Sequence, residues 1–119
     1  MDSESLDTTF ALLSDTRRRY VLYDLSRTNG ATSLSELAER VVALETGESP
    51  TVVSDERRRE VELSLAHVHL PKLADAGVVE FDGRSGDVVF VNESGTLERV
   101  LEFAGQVEDA TTTCPGGSE

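Results

Sequence analysis

Three consecutive arginines, Arg57 to Arg59, are the residues of this chain whose chemistry is easiest to interpret. Guanidinium groups pair with phosphates and form bidentate hydrogen bonds with guanine edges. Successive residues of a helix point about 100° apart, so the three side chains cannot all face one partner. We expect Arg57 on the outer side of the helix and Arg59 toward the core. The alternative is that they pair with the acidic residues around them, which are Asp55, Glu56, Glu60 and Glu62.

A further arginine and two histidines also invite a binding interpretation. Arg84 lies in a Gly-Arg-Ser-Gly turn, and an arginine there could follow a minor groove, although soluble hairpin tips commonly carry charge. His67 and His69 would point about 200° apart on a helix and could not chelate one metal ion. We expect His69 at the edge of the core and His67 in solvent. With Cys114 as the single cysteine, we expect no metal site and no disulfide.

Catalytic motifs are absent from the sequence. It has no Gly-rich phosphate loop, no nucleophile elbow and no paired metal ligands. Its carboxylates are spread along the chain in the manner of a solvated surface. We therefore expect no catalytic residues, no enzyme activity and no cofactor.

The composition is strongly acidic, with 23 Asp and Glu against 11 Lys and Arg and a net charge of −12 over 119 residues. Arginine almost replaces lysine, since Lys72 is the single lysine, and this balance is similar to that of proteins from salt-accumulating halophiles. Such a charge opposes general nucleic-acid attraction in dilute buffer. At about 1 M salt the screening length falls to about 3 Å, and local charge then decides. No apolar run approaches membrane-spanning length and no signal peptide is apparent, so we expect a cytoplasmic protein with no membrane segment.

The order of predicted elements is helix, helix, helix, hairpin, helix, within one domain. Residues 1–7 are expected to be flexible, 8–109 to form the domain and 110–119 to be disordered. Asp15 should cap the second helix. Arg17, Arg18 and Arg19 in its first turn indicate acidic partners, either neighbouring carboxylates or a phosphate backbone, and we expect structural pairing. Ser33 and Glu36 form a capping box for the third. The hairpin spans residues 78–91 around Gly83 to Gly86.

The helix predicted at residues 55–76 organises the fold. Ser54 or Asp55 should cap its start and Gly77 should end it, while Pro71 should kink it around residues 67–70. Its apolar residues at helical spacing define a buried face, expected to consist of Leu63, Ala66, Leu70, Leu73 and Ala74. The outward positions would then hold Val61, Ser64, Leu65, His67 and Val68.

Two stretches resemble the winged-helix domains of the arsenic-repressor (ArsR-like) type, and most closely the small winged-helix proteins of halophilic archaea. They are residues 12–22, LLSDTRRRYVL, and residues 69–79, HLPKLADAGVV, which fit the family's first-helix and recognition-helix patterns. The resemblance covers residues 8–107. It implies an α+β winged helix-turn-helix fold with a three-helix core, a β-hairpin wing and an extra C-terminal helix.

Two functions follow as expectations. In the first, a transcriptional regulator binds double-stranded DNA. Ser64, His67 and Arg57 face the major groove, Arg58 and Lys72 reach phosphates, and Arg84 lies on the wing. In the second, a protein-interaction module binds no DNA and docks a protein partner or a second subunit through Val61, Leu65 and Val68.

The last predicted helix, at residues 95–107, has an apolar seam suited to a helix partner. Its residues are Leu97, Val100, Leu101, Ala104 and Val107, and Leu6, Phe10 and Leu13 near the N-terminus could cover part of it. In ArsR-like domains the N- and C-terminal helices commonly pair across a two-fold axis. We therefore expect a homodimer with Phe10, Leu97, Val100, Leu101 and Ala104 in its interface. The alternative is a monomer in which the last helix packs on the first.

Overall fold

The structure is a computed structural model that describes the backbone of residues 3–28, 30–91 and 95–117, and the side chains of residues 6–28, 30–91 and 95–108. The fold is an α+β winged helix-turn-helix, as the sequence predicts. The helices are α1 (Ser3–Leu13), α2 (Thr16–Arg27), α3 (Leu34–Thr46), α4 (Asp55–Ser64), α5 (Leu70–Asp75) and α6 (Gly95–Gly117). The strands are β1 (Thr32–Ser33), β2 (Val79–Phe81) and β3 (Asp87–Phe90). A 3-10 turn (Pro50–Val52) precedes α4, and a π-helical segment (Leu65–His69) joins α4 to α5.

Helix ends follow the local chemistry of the sequence. The Asp15 carboxylate accepts a hydrogen bond from the Arg18 amide at 3.1 Å, and the Ser33 and Ser54 hydroxyls cap α3 and α4 in the same way. Gly77 lies just past α5 with φ +77°, a left-handed conformation that favours glycine. These predicted caps are confirmed because each depends on residues within one turn of the chain.

The three strands form an antiparallel sheet in the order β1-β3-β2. Thr32 pairs with Val88 and Ser33 with Asp87, and the Leu34 amide donates to the Gly86 carbonyl at 2.7 Å. Strand β1 is absent from the elements predicted by the sequence. A two-residue strand exists only through its pairing with β3, and no periodic pattern marks it. This strand ties the turn-proximal end of β3 to the start of α3.

The π-helical segment changes which face of the long helix is buried. Its hydrogen bond runs from the Leu70 amide to the Leu65 carbonyl, five residues back. The predicted irregularity near Pro71 therefore takes the form of one extra residue in a turn. The proline has no N–H and its ring would collide with a carbonyl four residues earlier, so a regular helix is disfavoured there.

The predicted inward and outward faces are consequently wrong for α4. Val61 and Leu65, expected outside, are 1% and 0% exposed, whereas Leu63, expected inside, is 60% exposed. Beyond the π-helical segment Leu70 and Leu73 are buried, as predicted, but Ala74 is exposed. The sequence prediction assumes one 3.6-residue period for the whole helix. Because the π turn contains one extra residue, a period that fits the buried leucines after it places the wrong residues inside before it.

Two element ends also differ from the sequence predictions. Helix α1 begins at Ser3, inside the segment expected to be flexible; residues 1 and 2 lie outside the described residues. Helix α6 continues to Gly117, whereas disorder was expected from residue 110; residues 118 and 119 are not described. Among the described helices, none combines the length and apolar character needed to cross a bilayer.

Candidate nucleic-acid interface

The arginine triplet of α2 is used inside the domain. Arg17 forms a bidentate ion pair with Glu45, with Nε–Oε2 2.6 Å and Nη2–Oε1 2.9 Å. Arg18 is buried and donates to the carbonyls of Leu12 at 2.9 Å and Ala11 at 3.2 Å. Structural pairing is thus confirmed for this triplet, although Arg18 satisfies itself on backbone carbonyls.

Helix α6 is clamped to α2 by the third member of that triplet. The Glu108 carboxylate accepts from Arg19 Nε at 2.8 Å and from the Tyr23 hydroxyl. Arg19 Nη1 also donates to the Leu13 carbonyl at 2.6 Å, which joins the end of α1 to the same cluster. These bonds fix the two terminal helices on the winged-helix core.

Arg58 does not have the exposed position expected of a phosphate contact. Its guanidinium donates to Glu62 within α4 and to the Ser35 hydroxyl of α3 at 3.2 Å. Asp55 lies 3.5 Å and Glu39 4.0 Å from its nitrogens. Arg58 therefore sets the packing of α4 on α3, and the open outward position that its predicted phosphate contact requires is wrong. A sequence wheel with the right phase would have placed it beside Val61.

The remaining cations of the 55–75 helix and the wing have no internal partner. Among the described residues, Arg57, Arg59, Lys72 and Arg84 are exposed and form no ion pair. Arg27 and Arg99 are the other two exposed cations without such a pair, and they lie on α2 and α6. Four of these six cations thus belong to the two elements that a winged-helix domain presents to DNA.

The outer surface of α4 differs from the predicted one. It carries five exposed side chains at helical spacing, called here the outer face: Glu56, Arg59, Glu60, Leu63 and His67. Arg57 is exposed at the flank of this face, and Ser64 is only partly exposed. Arg59 and Leu63 are missing from the predicted site because the sequence pattern assigned them to the buried side. The arrangement alternates cationic, acidic and apolar groups, which is suited to reading base edges as much as to binding phosphates.

The aliphatic docking stripe expected for a protein-interaction module is not a surface. Val61 and Leu65 belong to the hydrophobic core, and only Val68 is exposed. The protein-interaction alternative loses two of its three contact residues.

The wing is a short hairpin with an ordered tip. The Asp82 carboxylate accepts hydrogen bonds from the Arg84 amide at 2.9 Å and the Ser85 amide at 3.4 Å, and these bonds lower the pKa of Asp82. Gly86 closes the turn with φ +79° and donates to the Asp82 carbonyl at 2.7 Å. The backbone of Arg84 is thereby fixed, while its side chain extends into solvent.

A buried polar contact joins the π-helical segment to α2. His69 is buried in the π-helical segment, and its Nδ1 lies 3.4 Å from Arg18 Nη1. Because arginine can only donate, the contact requires an unprotonated Nδ1. Burial, the largest cause, lowers the pKa of His69, and nearby Arg18 acts in the same direction while Asp15 opposes it. The predicted placement of His69 at the core edge and His67 in solvent is confirmed.

The predicted dimer residues fall into two groups. Leu97 and Leu101 are buried within the domain, where α6 packs against α1 and α2, so they cannot form an interface. Val100 and Ala104 are partly buried, and Phe10 is exposed. Phe103 and Val107 are exposed beside them. Together these side chains line a groove of about 390 Å³ between α1 and α6, called here the terminal-helix groove: Phe10, Leu13, Val100, Phe103, Ala104 and Val107.

No group of three or more His, Cys, Asp or Glu side chains placed to hold a metal ion occurs in the described part of the chain; the side chain of Cys114 lies outside it.

In comparisons with known proteins, the family model "Domain of unknown function (DUF7344)" matches residues 10–89, from α1 through most of β3. No curated protein and no solved structure matches the chain.

Proposed function

The chain belongs to the DUF7344 family of domains of unknown function, and we propose that it is a DNA-binding transcriptional regulator of the ArsR-like winged-helix type, acting in the cytoplasm. The observation that carries the proposal is the distribution of unpaired cations. Five of the 11 basic residues are bound inside the domain, and four of the other six lie on the 55–75 helix or the wing. A helix-turn-helix domain places its recognition helix in the major groove.

Roles for the individual side chains follow from their positions. Arg57 flanks the outer face and Lys72 lies near the end of the helix, so both suit phosphates bordering the groove. Arg84, on a fixed backbone at the wing tip, suits the adjacent minor groove or its phosphates. His67 lies on the outer face, while Ser64 is less accessible than the sequence predicts. Arg58 holds α4 on α3 and contributes only indirectly.

The net charge of −12 sets the conditions under which such binding occurs. In dilute buffer the acidic surface repels DNA, but at about 1 M salt charges more than about 3 Å apart are screened. The halophile-like composition supports a working environment of this kind. Under these conditions contacts at van der Waals distance decide affinity, and they are the contacts that the outer face and the wing offer.

A charge-matched pair of double variants tests the proposal. Replacing Arg57 and Arg84 by Ala removes two cations proposed to bind phosphates, whereas replacing Arg27 and Arg99 by Ala removes the same charge elsewhere. On DNA duplexes enriched from a randomised pool, the first variant should bind more weakly. The slope of log K against log salt should become shallower by about 0.9 for each phosphate that the variant no longer neutralises. Equal affinities and slopes for the two variants would contradict the proposal.

We further propose that the regulator is a homodimer formed through the terminal-helix groove. Phe10, Phe103 and Val107 are exposed in a single domain, and two copies related by a two-fold axis could cover them mutually. The groove is continuous with the core through Val100 and Ala104. Leu97 and Leu101 stabilise the fold and not the pairing. A two-fold dimer would also present two recognition helices to half-sites one DNA turn apart, about 34 Å.

A further inference from the structure

The outer face of α4 has a composition that electrostatic attraction alone does not explain. Its two carboxylates, Glu56 and Glu60, repel phosphates, and its central residue, Leu63, is an aliphatic side chain that is 60% exposed. A surface selected for general DNA affinity would carry cations at these positions. The inference that follows rests on the DNA-binding function proposed above. If the domain binds DNA, this face must gain its affinity from contacts with particular bases.

Each side chain at the centre of this face matches one feature of the major groove. Arginine binds the O6 and N7 acceptors of guanine, carboxylates accept from the N4 amino group of cytosine, and aliphatic groups contact the C5 methyl of thymine. Arg59 has no ion pair among the described residues and is free to reach a base. Glu60 suits cytosine, and Leu63 can contact only a methyl group.

The spacing of these residues fixes how far apart their bases lie. Arg59 and Leu63 are four residues apart, which is about 6 Å along the helix axis. Base pairs follow one another about every 3.4 Å along a strand. A helix lying in the groove thus brings the two side chains to bases within about two steps of each other.

We propose that Arg59 and Leu63 are specificity-determining residues that read a guanine and a thymine within about two base pairs, with Leu63 contacting the thymine methyl. The acidic neighbours Glu56 and Glu60 lower affinity for unrelated sequences, so that binding depends on these two contacts. The partner is double-stranded DNA with such a step in its recognition sequence.

The proposed contact between Leu63 and thymine is tested by removing the thymine methyl group from the DNA and the aliphatic side chain from the protein. Duplexes enriched from a randomised pool in about 1 M KCl are compared with the same duplexes carrying uracil for each thymine in turn. The wild-type protein should lose about fourfold in affinity at one thymine, which corresponds to about 0.8 kcal/mol for one buried methyl. L63A should bind the thymine and uracil duplexes equally. V68A, which shortens an exposed aliphatic residue off the outer face, should discriminate as the wild type does.

A second substitution addresses the guanine. R59A should lose about tenfold or more on the enriched duplex, and 7-deazaguanine, which lacks N7, should weaken wild-type binding while leaving R59A unaffected. Circular dichroism checks that both variants fold, which we expect because both positions are exposed. Equal thymine and uracil discrimination by wild type and L63A would overturn the inference, as would an enriched sequence without a nearby guanine and thymine. In either case, weakened binding by the Arg57 and Arg84 variant would leave the proposed function standing. If no duplex is enriched and that variant also behaves as its control, both fall together.

Discussion

Leu63 and Leu65 lie two residues apart on one helix, and their exchange for alanine tests the helix phase directly. Leu65 is 0% exposed and lies in the hydrophobic core, whereas Leu63 is 60% exposed. A Leu→Ala change at a buried site removes transfer free energy and leaves a cavity, which together cost about 2–5 kcal/mol. At an exposed site the same change should cost less than about 0.5 kcal/mol.

L65A should therefore lower the melting temperature by about 8–20 °C, taking about 4 °C per kcal/mol for a domain of this size. L63A should melt close to the wild type. Thermal denaturation in about 1 M KCl, followed by circular dichroism, measures both variants and keeps the salt constant. Equal destabilisation, or a larger destabilisation in L63A, would refute the π-helical register and with it the outer face.

Three further predictions concern pH, salt and assembly. Burial lowers the pKa of His69 below its ordinary 6.5, so the unfolded chain holds the proton more tightly and stability should fall as the pH drops below about 6.5. Urea midpoints between about pH 8 and about pH 5.5 should show this fall, and H69Q but not the control H67Q should flatten it; an unchanged slope in H69Q would contradict the assignment. With 23 acidic and 11 basic residues, the melting temperature should rise steeply between about 0.1 and about 2 M KCl as self-repulsion is screened, and a flat profile would argue against the halophilic interpretation. F103E should be folded and monomeric by light scattering in molar salt, whereas L97E should unfold because Leu97 is core; a wild-type mass of one subunit would exclude the dimer.

Local signals in this sequence predicted the structure well. Asp15, Ser33, Ser54 and Gly77 mark helix ends in the structure as they do in the sequence, because a cap involves only residues within one turn. The hairpin also lies where Gly83 and Gly86 predict its turn. These features fix the α+β winged-helix order without knowledge of long-range contacts.

The errors arose where distant residues decide. Strand β1 depends on pairing with β3, which lies far along the chain. The burial of Leu97 depends on how α6 packs on α1 and α2, so one part of the seam expected at a dimer interface lies inside the domain. The largest error concerned which face of α4 is buried. It came from the extra residue of the π turn: Pro71 indicates that the helix is irregular nearby, but not where the extra residue lies. The same error changed the predicted surface: Arg58 was assigned outward, while Arg59 and Leu63 were assigned to the core.

The extra residue between Leu65 and His69 also decides how two leucines five positions apart can share one core. Five residues of a regular α-helix turn through about 500°, which would leave Leu65 and Leu70 about 140° apart around the axis. The π turn takes up the extra residue, and both leucines are fully buried. The segments before and after this turn therefore each follow a helical period, but no single period relates the two.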